Sequence, residues 1–243
     1  YQNYFQCIIY SIIRNNKQST PYSLEVHMKI RLGVIGEAEN IDIFREVIEE
    51  YNDYEIATFI DADGTHTLNI IDTHQQDFDS WLIFDQINYL HIKNWGKVQK
   101  PVYYIPYCGA SFYKTLCTTI YQGFKIDELS IDTIPYYDIT RALEDMKINY
   151  NVINHLSDEH GALSLNGYAA FHLELFKKGI TKAAVTRSYF VKNLLEQHGI
   201  PAFCIMPIRV TVRNILNVIL TQFRIKKLRE GQIAVQVFSF NLL

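Results

Sequence analysis

The sequence predicts an α/β protein of two similar parallel-sheet βα lobes with a cleft between them, followed by a long C-terminal helix. Eight short apolar runs alternate with segments of helical period, a pattern typical of parallel sheets. A repeat at an offset of 100 residues then indicates two copies of one unit. It pairs Pro101 with Pro201, Ile105 with Ile205, Ser111 with Thr211, and Leu116 with Leu216. The stretch 180–211 shows the pattern most clearly, because it contains strand, turn, helix, strand and helix start in succession.

Composition indicates an ordinary globular protein and excludes some classes of partner. Of 243 residues, 48% are hydrophobic and 20% are charged, and the net charge of −3 gives no basic field for nucleic acid or an anionic membrane. No apolar run reaches the roughly 18–20 residues of a membrane span. The cysteines show no CxxC spacing, so we expect reduced thiols and a cytoplasmic location. They are Cys7, Cys108, Cys117 and Cys204.

Lobe 1 is predicted to span 28–122. Residues 1–27 differ from it in composition and are interpreted as an N-terminal extension, with a helix packed on the outside as the alternative. The strands of lobe 1 are predicted at 31–35, 55–60, 81–84 and 102–105, and its helices at 41–51, 65–72, 87–93 and 112–121. Asn40 and Thr65 are the expected caps of the first two helices.

Lobe 2 is predicted to span 124–220 and to repeat this order. Its strands are expected at 128–134, 150–153, 183–186 and 202–206, with helices at 138–146, 168–178, 189–198 and 211–229. Asp138 and Ser188 are expected helix caps, and 155–164 is expected to be a polar surface loop. Residues 232–240 alternate like a half-buried strand, so 211–243 are interpreted as a connecting helix and the start of a further module.

The predicted ligand site lies where the strands end, because right-handed crossovers bring their carboxyl ends to one edge of each sheet. At the end of one strand stand Thr186, Arg187 and Ser188. An arginine between two hydroxyls can hold a carboxylate or phosphate bidentately, and an exposed arginine beside capping hydroxyls is the alternative. The repeat places Asp85 and Gln86 at the matching position of lobe 1, where they can accept hydrogen bonds from ligand hydroxyls.

Two further turns contribute candidate ligand-binding residues. Ser111 follows Gly109 at a strand-to-helix turn, where free backbone amides can hold an anion, with simple capping as the alternative. Arg209 and Thr211 lie on the last strand-to-helix turn and are expected to converge on the same cleft.

Motifs for cofactors, metals and nucleophiles are weak. Gly33 and Gly36 resemble the start of a dinucleotide fingerprint, but the G-x-G-x-x-G spacing is absent and the carboxylates of Glu37 and Glu39 would repel a pyrophosphate. The acidic and histidine residues of 155–160 fit no standard zinc spacing. Cys108 has no identifiable base. We therefore predict no cofactor, no metal and no catalytic residue.

One stretch resembles a known family. Residues 184–190, Ala-Val-Thr-Arg-Ser-Tyr-Phe, followed by Gly-Ile-Pro-Ala-Phe-Cys-Ile at 199–205, resemble the sensor domains of propionate-catabolism-type transcription activators. In those domains a strand ends in a Ser-Arg-Gly-Gly-Thr-like turn, to which Arg187 corresponds. The resemblance implies a periplasmic-binding-like fold inside the cell, with a small metabolite between two lobes and output and DNA-binding modules elsewhere in the protein.

The leading hypothesis is a small-molecule-sensing region of a larger transcription regulator that binds a polar or anionic metabolite between its lobes. DNA would be contacted only through a module outside this chain, no membrane is involved, and a homodimer is compatible with the pattern. Two alternatives stay open. One is a two-domain α/β enzyme in which Arg187 binds substrate and Asp85 acts as base. The other is a dimerisation or scaffolding module with a vestigial cleft.

Overall fold

The computed structural model describes residues 29–84, 86–106, 108–156 and 163–230. The predicted extension 1–27, the predicted strand 232–240 and most of the predicted loop 155–164 lie outside them. Within the described ranges the chain forms two four-stranded sheets, and every strand pair in them is parallel. This confirms the predicted fold class. Each helix in these ranges is too short or too polar to span a lipid bilayer.

The first sheet is built around β1, which is apolar because helices cover both of its faces. Its strands are β1 (Ile30–Gly36), β2 (Tyr54–Ile60), β3 (Ser80–Ile83) and β4 (Val102–Tyr104), in the order β2-β1-β3-β4. The helices that connect these strands are α1 (Ala38–Ile48), α2 (Thr67–His74) and α3 (Gln86–Trp95).

The second sheet repeats this topology. Its strands are β5 (Leu129–Asp132), β6 (Asn154–Leu156), β7 (Ala183–Thr186) and β8 (Ala202–Cys204), in the order β6-β5-β7-β8. The helices between them are α5 (Tyr136–Asp145), α6 (Leu165–Lys177) and α7 (Tyr189–Gln197). The equivalent strand orders account for the repeat in the sequence, because each half folds as the same βα unit.

Two helices exchange places between the lobes. α4 (Gly109–Tyr121) follows β4 of lobe 1, yet its Phe112 and Leu116 are buried in the core of lobe 2. α8 (Arg209–Glu230) follows β8 of lobe 2, yet its Val212 and Leu216 are buried in the core of lobe 1. The chain therefore crosses between the lobes twice, which sequence segmentation at 122 and 124 did not anticipate. α8 is the predicted long C-terminal helix.

Polar contacts along α8 accompany this packing. Arg213 donates to both carboxylate oxygens of Glu50, at 2.7 and 2.6 Å, and Arg224 pairs with Asp53 at 2.9 Å. The hydroxyl of Tyr54 donates to the backbone carbonyl of α8 at Leu216. Helix α8 is thus attached to lobe 1 over several turns, although the chain enters it from lobe 2.

Gly33 and Gly36, which resemble the start of a dinucleotide fingerprint, make room for neighbouring side chains. A Cβ atom on Gly33 would stand 2.4 Å from the Trp81 ring, and one on Gly36 would stand 2.9 Å from the Phe84 ring. Trp81 is fully buried at the centre of its cluster. These glycines therefore make room for aromatic rings of the neighbouring β3 segment, which agrees with the absence of the dinucleotide spacing.

Several local predictions were wrong. The strand predicted at 150–153 begins only at Asn154, because the Asp127 carboxylate accepts hydrogen bonds from the backbone amides of Asn151 and Val152 and holds them in a turn. Three predicted caps also miss the observed helix starts: Asn40 and Asp138 lie inside their helices, and Thr65 precedes the N-cap His66. The cap at Ser188 is confirmed, since its hydroxyl accepts from the Val191 amide.

Candidate interlobe binding site

The carboxyl edges of the two sheets meet through Glu37, the first residue after β1. Its Oε1 accepts hydrogen bonds from the Ser188 hydroxyl at 2.9 Å and the Phe190 amide at 3.3 Å. Its Oε2 accepts from the Tyr189 amide at 3.1 Å. A carboxylate of lobe 1 is thus held by the first turn of α7 in lobe 2. We call these contacts the Glu37 clasp.

Opposing effects act on the pKa of Glu37 in the clasp. Burial raises the pKa of Glu37 above its ordinary value because the ionised form loses solvent. The hydrogen bonds from Tyr189, Ser188 and Phe190 lower the pKa, and the nearby Glu39 carboxylate raises it. Burial is the largest of these effects, and the net result is a raised pKa. The α7 N-terminus therefore accommodates an anion, as helix N-termini do, but compensates this one incompletely.

A buried polar network supports the turn that precedes α7. Thr186 donates from Oγ1 to Asp132 Oδ2 at 2.8 Å and accepts from the Ser188 amide at 3.3 Å. His172 contacts Asp132 Oδ2 through Nε2 at 3.1 Å and Ser130 Oγ through Nδ1 at 2.7 Å. This row of Ser130, His172 and Asp132 is fully buried, so it lacks access for a substrate. Its role here is to fix the 186–188 turn.

A second polar cluster stands where the exchanged helices begin. The Cys108 thiol lies 3.2 Å from Ser111 Oγ and 3.1 Å from Thr211 Oγ1. Burial raises the pKa of the Cys108 thiol, but hydrogen bonds from the two hydroxyls and nearby backbone amides outweigh it and bring the pKa below its usual value. Ser111 is buried inside α4 and does not cap the helix, which begins two residues earlier. The cluster joins the start of α4 to the start of α8.

The remaining predicted site residues are placed as follows. Arg209 donates from Nε and Nη2 to Glu46 Oε2 on the exposed face of α1, at 3.1 and 2.6 Å, so its guanidinium is engaged there. Gln86 is the exposed first residue of α3, and Arg187 is partly buried in the turn before α7. Asp85 lies outside the described residues. The structure thus brings Thr186 and Ser188 together near Glu37, and Ser111 and Thr211 together at Cys108.

A groove of about 290 Å³ opens beside the Glu37 clasp and is lined by both lobes. Its lining includes Glu37, Ala38, Ile60 and Ala62 from lobe 1, and Tyr189, Phe190, Asn193 and Leu194 from lobe 2. Its size suits a small metabolite, and polar and apolar groups both reach it.

Glu37 is the interlobe residue that sequence reasoning missed. The sequence pattern assigns its carboxylate only the effect of repelling a pyrophosphate on its own turn. A signal was present, because a glutamate at one strand end can satisfy a helix N-terminus elsewhere. The identity of that helix, however, depends on how the lobes face each other, which no local pattern reveals.

Comparisons with known proteins concern the fold. No profile of a known protein family matches the sequence, and no curated protein matches it. Among solved structures, an NtrC family transcriptional regulator from Clostridium acetobutylicum aligns with a TM-score of 0.61 and 14% identity, over 82% of this chain and 99% of that one.

Two other solved structures align more loosely. A periplasmic ribose ABC transporter protein from Conexibacter woesei DSM 14684 gives a TM-score of 0.35 at 13% identity, over 71% of this chain and 70% of that one. A LacI family regulatory protein from Chloroflexus aggregans gives a TM-score of 0.33 at 9% identity, over 70% of this chain and 74% of that one. The alignment with the Clostridium protein confirms the predicted resemblance at the level of the fold: this chain is similar in fold to an NtrC family transcriptional regulator.

Proposed function

We propose that this chain is the small-molecule-sensing region of a transcription regulator and that a small polar or anionic metabolite binds between its lobes. The observation that carries the proposal is the Glu37 clasp, in which a hydroxyl and two backbone amides of lobe 2 hold a carboxylate at the interlobe edge. These three donors suit the carboxylate or phosphate of a metabolite equally well.

In this proposal the metabolite competes with Glu37 for the first turn of α7. Ser188 and the amides of α7 bind the anion, and Arg187 adds a charge-assisted hydrogen bond. The raised pKa of Glu37 favours the exchange, because the clasp leaves the ionised carboxylate short of the stabilisation it has in water. A ligand that also contacts the walls of the groove then binds more tightly to the state in which Glu37 has left α7 than to the state in which the Glu37 clasp is formed.

Helices α4 and α8 are the elements that would transmit the effect of ligand binding from one lobe to the other. Release of Glu37 frees the lobes to reorient about the two crossings, which the Cys108 contacts with Ser111 and Thr211 hold together. The end of α8 would then move with lobe 1 relative to lobe 2. We propose that a DNA-binding module outside this chain responds to that movement in the cytoplasm, in a monomer or a homodimer.

The other predicted residues have secondary places in this proposal. Asp85 and Gln86 are proposed to accept hydrogen bonds from ligand hydroxyls, as the repeat in the sequence predicts. Ser111 and Thr211 are proposed to act at the crossing. Arg209 takes part only if it leaves Glu46, so we give it no direct contact with the ligand.

The enzyme alternative has less support. The described row of Ser130, His172 and Asp132 has the residue types of a hydrolase triad, but each of these residues is fully buried. A reacting group must be reached by its substrate, and this row instead supports the 186–188 turn. We therefore do not propose a catalytic activity.

A ligand screen tests the proposed function. The chain is scanned by thermal unfolding against a panel of small dicarboxylates, hydroxy acids and sugar phosphates, and a binding compound raises the midpoint by mass action. The affinity of that compound is then measured for Arg187→Ala and for the matched control Arg209→Ala. We expect Arg187→Ala to weaken binding about ten- to a hundredfold and Arg209→Ala to leave it unchanged. A panel without any stabilising compound, or equal affinities in both variants, contradicts the proposal.

A further inference from the structure

The turn after β2 gathers two carboxylates and an imidazole. Asp61, Asp63 and His66 each place one ligand atom so that all three lie within 4.8 Å of one another. Asp61 is almost completely buried, with 1% of its side chain exposed, whereas 73% of the His66 side chain is exposed. One fixed and two adjustable ligand groups therefore face one another on a single turn.

The two carboxylate oxygens of Asp61 differ in their hydrogen bonds. Its Oδ2 accepts from the Thr67 hydroxyl at 2.6 Å and the His66 amide at 3.2 Å. Its Oδ1 is buried, and the residues that the structure describes supply it with no hydrogen-bond donor. A buried carboxylate oxygen without a donor or a cation costs free energy. This oxygen lies 3.6 Å from His66 Nδ1, so it is directed into the cluster.

The second carboxylate is oriented by its own turn. Asp63 Oδ1 accepts from the Thr65 hydroxyl at 2.7 Å and the Thr65 amide at 3.1 Å, and Oδ2 takes no part in these two hydrogen bonds. The imidazole of His66 contacts Thr65 Oγ1 through Nδ1 at 2.9 Å, a contact that a metal would replace. Neighbouring ligand atoms about 2.1 Å from an octahedral metal stand about 3.0 Å apart. The separation of 3.6 Å between Asp61 Oδ1 and His66 Nδ1 is slightly larger than this value, and the exposed His66 and Asp63 can approach by rotation of their side chains.

We propose that Asp61, Asp63 and His66 bind one divalent first-row cation of the Mn²⁺ class. Carboxylate oxygens suit hard cations, an imidazole suits first-row transition metals, and Mn²⁺ accepts both. Water completes the coordination, because the three protein ligands occupy only part of it. The spacing Asp-x-Asp-x-x-His matches no standard metal motif, so the main evidence for the site is the buried Asp61 oxygen, for which the described residues provide no hydrogen-bond donor.

The site adjoins the interlobe groove. The Asp61 amide donates to the Gly36 carbonyl at 3.0 Å, one residue before Glu37, and Ala62 lines the groove. A cation here would fix the β2 turn next to the Glu37 clasp. It would also offer open coordination positions near a region where we propose that an anionic metabolite binds.

Titration of the whole chain with MnCl₂, followed by electron paramagnetic resonance, tests this proposal. Mn²⁺ is preferred to Zn²⁺ as the probe because it has little affinity for the free thiols of Cys108, Cys117 and Cys204. We expect one Mn²⁺ per chain with a pulsed-resonance coupling to an imidazole nitrogen. His66→Ala should remove the coupling, and both His66→Ala and Asp63→Ala should weaken binding about tenfold or more.

The matched control is His74→Ala. His74 and Asp77 form an exposed pair at 2.9 Å, and the described part of the chain places no third ligand group beside them, so this variant should bind Mn²⁺ as the native chain does. His66 and Asp63 are exposed, so their replacement is compatible with folding, which circular dichroism verifies. The proposal is overturned by absence of binding at millimolar Mn²⁺, the outcome in which Asp61 and His66 form only an ion pair. It is equally overturned by binding that survives both His66→Ala and Asp63→Ala.

Discussion

Glu37 Oε1 in lobe 1 and Ser188 Oγ in lobe 2 are joined by a hydrogen bond of 2.9 Å between residues 151 positions apart in the chain. Ser188 also caps α7, so one hydroxyl orders a helix and links two lobes. Together with the amides of Tyr189 and Phe190, which also donate to Glu37, the Ser188 hydroxyl is a donor that a ligand carboxylate would need. The arrangement therefore combines a structural contact with a site for exchange.

Replacement of Glu37 by alanine should loosen the lobes without unfolding them. The variant loses three interlobe hydrogen bonds, but the freed donors can reach water and the cost of burying a carboxylate disappears. We expect the free energy of unfolding to fall by about 1 kcal/mol. Urea denaturation measures the change, and Glu49→Ala, an exposed glutamate at the end of α1, is the matched control. A loss as large as that of a core defect, about 3 kcal/mol or more, would show that Glu37 is essential to the fold.

The raised pKa of Glu37 makes stability depend on pH with a definite sign. A carboxyl whose pKa is higher in the folded state binds protons more strongly there, so folding is favoured below the unfolded pKa, 4.5, and this contribution is lost as the pH rises through the folded pKa. The native chain should therefore lose stability relative to Glu37→Gln between pH 4.5 and pH 7. Denaturation of both proteins across this range measures the difference. A difference that grows in favour of the native chain as the pH rises would contradict the assignment.

Thr186→Val should destabilise the protein more than its small change in shape suggests. The valine retains the volume but leaves the buried Asp132 short of one donor and the Ser188 amide short of an acceptor. We expect a loss of about 1–3 kcal/mol. Thr119→Val is the control, because the Thr119 hydroxyl is also buried but donates to the Leu116 carbonyl within its own helix. Equal losses in the two variants would mean that the network does not support the 186–188 turn.

The attachment of α8 to lobe 1 should depend on its apolar face. Leu216 is fully buried in the core of lobe 1, so Leu216→Ala should cost about 2–5 kcal/mol. Arg213→Ala breaks an exposed ion pair with Glu50 and should cost far less, because solvent and salt screen such pairs. Thermal unfolding of the two variants compares them. If Arg213→Ala were the more destabilising change, the ion pairs would hold α8 in place.

The sequence predicted those parts of the fold that depend on local pattern. The bounds of β7 were predicted correctly as 183–186, because four small or apolar residues lie between a lysine and an arginine, and the cap at Ser188 depends on its own helix. The exchange of α4 and α8 was not predictable, because an amphipathic face does not specify which sheet will cover it. The Glu37 clasp and the lack of a hydrogen-bond donor for Asp61 Oδ1 depend on distances within the folded chain, which local sequence patterns do not specify.

The affinity of the best anionic compound from the ligand panel for Glu37→Ala and Arg187→Ala, compared with the native chain, tests the central claim most directly. If the compound displaces Glu37, removal of that carboxylate raises the fraction of binding-competent protein and should tighten binding, whereas Arg187→Ala should weaken it about ten- to a hundredfold. Calorimetric titration measures both effects. Opposite changes from the two variants are the result that we predict. Unchanged affinity in Glu37→Ala together with unchanged affinity in Arg187→Ala would contradict a binding site at the edge where the two lobes meet.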